Sequence, residues 1–128
     1  MKKLLLFIIP ILLGWNTTNA QNALAFTGSQ WVTIPDNGSL DLQNTYTIEA
    51  WVYPTDNSNN TIIDKGNYNY LFQTHPNGTS GLGLYNNVMG WRYSAGSIPT
   101  NVWSHVAVTF NVASDEVIFY LNFTIYKK

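Results

Sequence analysis

The sequence predicts an all-β fold, a two-sheet antiparallel β-sandwich or jelly roll. Apolar and polar residues alternate with period two along short runs rich in Val, Ile, Phe, Tyr and Trp. Clusters of Asn, Asp, Gly, Ser and Pro break these runs every ~8–12 residues, which gives about nine short strands. No stretch keeps a helical period over a useful length.

The chain opens MKKLLLFIIPILLGWNTTNA. Lys2 and Lys3 give a basic start, Leu4 to Leu13 a ten-residue apolar run, and Thr18-Asn19-Ala20 a small-x-small exit. That pattern predicts a secretory signal peptide over residues 1–20, and ten apolar residues fall short of the ~20 that a membrane span needs. The expected product, residues 21–128, is secreted or held at the cell surface. It keeps 4 Lys/Arg against 7 Asp/Glu, formally −3. Such a surface has no basic stripe for nucleic acid and no charge drawing it to a membrane after cleavage. With no cysteine, disulfides, thiolate metal sites and a Cys nucleophile are all excluded. A domain this small must then be held by apolar burial, and 5 Trp, 8 Tyr and 6 Phe suit that need. The same rings suit sugar binding, since aromatic faces stack on the apolar faces of pyranoses.

Taken in order, Ala23–Phe26 and Trp31–Ile34 read as the first two strands, separated by Thr27-Gly28-Ser29 and closed by the turn cluster Pro35-Asp36-Asn37-Gly38. Tyr46–Tyr53 is a long alternating strand whose Ile48/Ala50/Val52 face should look into the core. Thr55–Asn60 is an exposed polar loop. Thr61–Lys65 and Tyr70–Thr74 are further strands, and Gly81–Tyr85 pairs with Val88–Tyr93 about Asn86-Asn87. Asn101–Asn122 is the strongest signal: two alternating arms joined by the turn Asn111–Asp115, with Val106, Val108 and Phe110 on one face. Neither arm has a wholly polar face, so this hairpin belongs mid-sheet.

Four segments, ALAFTGSQWVTIPDNGSLDL, YTIEAWVYP, IIDKGNYNYLF and IPTNVWSHVAVTFNVASDEVIFYLN, occur in an order and spacing that resemble the laminin-G-like domain of the concanavalin-A-like lectin/glucanase superfamily. The resemblance spans most of residues 23–122. It implies two curved antiparallel sheets, a carbohydrate or protein partner, and in some members a calcium ion. Two departures stand out: Thr27 where the family usually has Asp, and Phe123 where it usually has Gly. Family domains also run on for several more strands, so the resemblance implies a partial domain, incomplete at the C-terminus, with Ala23–Phe26 and Val117–Leu121 left as exposed edges.

Glucanases of this fold need two carboxyls ~5–5.5 Å apart, hence acids two residues apart on one strand face. The chain has only Glu49 and Glu116, with no E-x-D-x-E-type cluster, so the expectation is a non-catalytic module. His105 reads as a structural histidine and His75, beside Pro76, as exposed. Asp36 and Asp64 are weak calcium candidates, because six to eight oxygens are needed and no D-x-D-x-D-G loop is present; no cofactor is otherwise implied. Trp91, Tyr93, Tyr68 and Tyr70 are the candidate sugar-stacking rings, and Arg92 could add a guanidinium fork to hydroxyls or carboxylates. Trp51 and Trp103 read as core. The function expected is that of a secreted lectin-like module binding a glycan or polysaccharide. The alternative is a structural or adhesive module binding an extracellular protein.

Overall fold

A computed structural model of the chain describes residues 23–66, 69–75 and 81–127, so the expected signal peptide lies outside the described residues. The chain divides into two units, residues Met1–Ile34 and Pro35–Lys128.

In the first unit, residues 23–34 form no strand, which overturns the two strands expected at Ala23–Phe26 and Trp31–Ile34. Their local order is a small turn in which the Thr27 N–H donates to Gln30 Oε1 at 2.6 Å. Leu24, Phe26, Trp31, Val32 and Ile34 are exposed. β-propensity favours an extended backbone, but a strand exists only where a neighbour completes its hydrogen-bond ladder.

The second unit holds eight strands: β1 (Thr45–Val52), β2 (Thr61–Asp64), β3 (Tyr70–Thr74), β4 (Leu82–Asn86), β5 (Gly90–Tyr93), β6 (Ser104–Asn111), β7 (Glu116–Leu121) and β8 (Thr124–Lys127). They make two antiparallel four-stranded sheets, ordered β1-β6-β7-β8 and β2-β3-β4-β5. A 3-10 turn, Gly38–Leu40, precedes β1, and its first orphan donor is met where the Ser39 N–H donates to Asn37 Oδ1.

Alternation sorts the side chains as expected. Ile48, Val106, Val108, Phe110, Val117 and Phe119 of the first sheet meet Tyr70, Phe72, Leu82 and Leu84 of the second in one buried core. Facing sheets bury their apolar rows in this way, each fully buried large side chain contributing roughly 1.5–3 kcal/mol. Ala50 and Val52 pack against the cluster, which bears out the inward face of β1.

β8 was not expected. It pairs with β7 from Leu121↔Thr124 to Ile118↔Lys127, so Val117–Leu121 lies inside the sheet and is no exposed edge. The link is a two-residue turn, Asn122-Phe123, with φ of 45° and 67°. Positive φ at both central residues is what a hairpin of type I′ requires, and Phe is a poor occupant of that conformation.

Candidate functional site

In the second sheet, register places Tyr85 opposite Trp91 and Gly83 opposite Tyr93, while Leu84 faces Arg92. Since Leu84 is core, Gly83, Tyr85, Trp91 and Tyr93 stand on the face turned away from it. The Trp91 and Tyr93 rings are parallel to within 7°, with centroids 5.6 Å apart. Tyr85 meets Trp91 edge-on at 5.4 Å, and the His75 ring lies 4.3 Å from that of Tyr93. Trp91 keeps 37% of its surface exposed.

Gly83 leaves room for this row of rings. A Cβ placed there would stand 3.2 Å from Tyr93 Cδ1 and 3.3 Å from the six-membered ring of Trp91. A glycine inside a strand pattern is a signal of close approach, and Gly81-Leu82-Gly83 carried it in the sequence.

Of the sequence candidates, Trp91 and Tyr93 are therefore brought together, and Tyr85 and Gly83 join them unforeseen. Tyr70 does not belong with them. It is buried in the core, where its hydroxyl donates to the Leu40 carbonyl at 3.2 Å, and burial raises its pKa above the ordinary 10.0. Tyr68 lies outside the described residues. Arg92 points to the opposite side from the rings. Its Nη1 donates to the Met89 carbonyl at 2.7 Å and the Trp91 carbonyl at 3.2 Å, and its Nη2 lies 3.7 Å from Asp115 in the β6–β7 turn. His75, expected to be exposed, is only 8% so, because the Gly81 carbonyl holds its backbone N–H at 3.1 Å and Tyr93 covers its ring.

The calcium candidates are not brought together. Asp36 is ion-paired with Lys65, which holds its carboxyl below the usual carboxylate range, and Asp64 Oδ1 accepts the Gly66 N–H at 2.8 Å. Asp56 is used within its own loop, accepting from the Ser58 N–H at 2.8 Å. No group of three or more His, Cys, Asp or Glu side chains placed to hold a metal occurs among the described residues.

The first sheet has its own aromatic outer face. Trp51 and Trp103, expected in the core, are 61% and 40% exposed. Tyr53 lies against Trp103 at 5.5 Å and Trp51 against His105 at 5.3 Å, and the Phe123 ring stacks on His105 at 6.0 Å. His105 Nε2 lies 3.6 Å from Glu49 Oε2 on the neighbouring strand. Glu49 and Glu116 lie on different strands, opposite Ala107 and Asn111, and Asp64 lies on a third, so among the described residues no strand carries a pair of carboxylates on one face.

Two facing antiparallel four-stranded sheets around one apolar core define the class: a β-sandwich module. The family model of the concanavalin A-like lectin/glucanases superfamily matches residues 26–123, and the chain belongs to that superfamily as a laminin-G-like domain. Such domains are generally non-catalytic and commonly bind glycans or extracellular proteins. No curated protein and no solved structure gives a significant match.

Proposed function

We propose that this chain is a secreted, non-catalytic, lectin-like module that recognises carbohydrate through Trp91 and Tyr93. The observation that carries this reading is the parallel setting of the two rings over Gly83, with Tyr85 bracing Trp91. The exposed part of Trp91, stacked on Tyr93, offers a pyranose an apolar surface for its axial C–H groups, and two aligned rings favour an extended chain. The recognition is metal-independent, and residues 1–20 direct the chain out of the cell. A glycan array probed with the protein tests this. Binding should appear on a defined set of oligosaccharides, persist in EDTA, and disappear in Trp91→Ala and Tyr93→Ala variants of unchanged melting temperature. An array without signal, or signal indifferent to both substitutions, would reject it.

A second reading, an adhesive module binding an extracellular protein, is favoured by the outer face of the first sheet. Trp51, Tyr53, Trp103, Phe123 and Ile125 are exposed there together, and large exposed apolar patches mark interaction surfaces. Polar replacement of Trp51 and Trp103 that removes adhesion while sparing glycan binding would separate the two.

A further inference from the structure

Beside the ring platform, at one end of the sandwich, lies a cleft of about 540 Å³ between the Pro54–Ser58 loop and residues 97–100. Asp56, Asn57, Ser58 and Thr100 give it polar walls, and Ile98 and His75 also line it. The volume is within the range of small-molecule sites. Its walls are pinned. The Asn101 N–H donates to the Pro54 carbonyl at 2.7 Å, linking one loop to the other. Thr74 Oγ1 donates to the Ser58 carbonyl at 2.8 Å and accepts from the Asn60 N–H at 2.9 Å. Gly81 lets the second loop lie close, since a Cβ there would come within 2.7 Å of the Gly96 carbonyl oxygen.

On the lining of this cleft, among the described residues, one buried group is left over. His75 is 92% buried, by the 8% exposure given above, and its Nδ1 has no hydrogen-bond partner. A buried polar atom without a partner is costly to the fold, and a bound group that pairs with it removes that cost. A hydroxyl both donates and accepts, so it can satisfy either tautomer of the ring. His75 is also the residue that joins the cleft to the platform, because its ring lies against that of Tyr93.

We propose that the cleft is a saccharide subsite continuous with the platform. One end of a glycan enters between the two loops and, as the His75 ring turns to open its enclosed Nδ1 to the cleft, places a hydroxyl on that nitrogen, with the polar side chains of Asp56, Asn57, Ser58 and Thr100 around it. The following unit crosses His75 onto Tyr93 and Trp91. The inference rests on the carbohydrate reading and adds a length requirement to it: single hexoses bind weakly, and chains long enough to fill both places bind tightly.

Titration calorimetry with linear gluco-, manno- and galacto-oligosaccharides of one to six units tests the subsite. Three variants of the full chain are used: His75→Phe keeps the ring contact but removes the nitrogen, Thr100→Trp fills the cleft from its rim, and Trp91→Ala removes the platform. Affinity of the unaltered protein should climb with chain length and then level off. His75→Phe and Thr100→Trp should each weaken the longer oligomers about tenfold and flatten that climb, the loss of one well-placed hydrogen bond being enough for this. If His75→Phe does not fold, Thr100→Trp carries the test by itself. Binding lost in Trp91→Ala but unaltered by the two cleft substitutions would overturn the subsite and leave the platform standing. No binding of any oligomer to the unaltered protein would overturn both.

Discussion

The Asn86 side chain joins the two sheets: its Nδ2 donates to the Tyr46 hydroxyl oxygen at 3.1 Å, from β4 across the core to β1. The same side chain accepts the Val88 N–H on its Oδ1 at 2.8 Å, so a residue 2% exposed has both ends of its amide engaged. The Tyr46 ring in turn lies 5.0 Å from Phe110 and 5.8 Å from Tyr70. A polar bridge in an otherwise apolar interior fixes how one sheet sits on the other, since any slip leaves both groups unpaired.

Breaking that bridge from either side should therefore cost more than the bond itself. Asn86→Ala, which also frees the Val88 N–H, is expected to lower stability by about 2–3 kcal/mol, and Tyr46→Phe by about 1–2 kcal/mol. In a double-mutant cycle read by denaturant unfolding, the two losses should fall short of additivity by about 1 kcal/mol. Strict additivity would mean the bridge contributes nothing.

Burial gives the molecule an alkaline limit. Desolvation raises the pKa of Tyr46 above the ordinary 10.0, the hydrogen bond from Asn86 only partly opposing it, and burial acts on Tyr70 in the same direction. The tyrosines of the unfolded chain lose their protons first, so the stabilisation is whole below the unfolded pKa. It is lost as pH rises through the folded values. Stability measured by urea unfolding should hold from neutrality to about pH 9.5 and fall steeply beyond. The fall should be shallower in Tyr70→Phe; an identical slope would exclude these rings as its cause.

Phe123 holds φ at 67° in the β7–β8 turn while 83% exposed. The left-handed conformation costs a side-chain-bearing residue about 1–2 kcal/mol, and the exposed ring recovers little of that through its contact with His105. Phe123→Gly should raise stability by about 0.5–1 kcal/mol, after allowing for the greater freedom of glycine in the unfolded chain. A lowered melting temperature would show that the stacking on His105 outweighs the strain.

Gly83 can be tested without touching a ring. Gly83→Val places carbon where Trp91 and Tyr93 now lie, so the pair should be driven apart at a stability cost of about 1–3 kcal/mol. The near-ultraviolet circular dichroism of the coupled rings should change, and oligosaccharide affinity should drop at least tenfold. Unaltered spectrum and affinity together would show that the rings do not depend on the glycine.

How far the sequence reached is clearest in residue pairs. Val106, Val108 and Phe119 were legible as core because a strand with period-two patterning has only two faces, and theirs is apolar throughout. Trp51 was misplaced for the opposite reason. Alternation set it on the Glu49 face, away from Ile48, while its size and hydrophobicity argued for the interior; the pleat won. β8 escaped notice because four residues carry little periodicity and Asn122-Phe123 lacks the glycine that announces a tight hairpin. The strands expected in 23–34 failed because propensity is local and pairing is not.

Alternation and turn residues by themselves determined the all-β class, the inward rows of β1, β6 and β7, and the sharing of one strand face by Trp91 and Tyr93. Only the tertiary structure decided that Tyr70 is core, that Arg92 leaves the ring face, and that His75 is buried between a cleft and Tyr93. Period-two patterning says which residues lie together on a strand. Which of a sheet's two faces meets the other sheet, and which loops meet at its end, depends on contacts between segments far apart in the chain, and no local pattern encodes those.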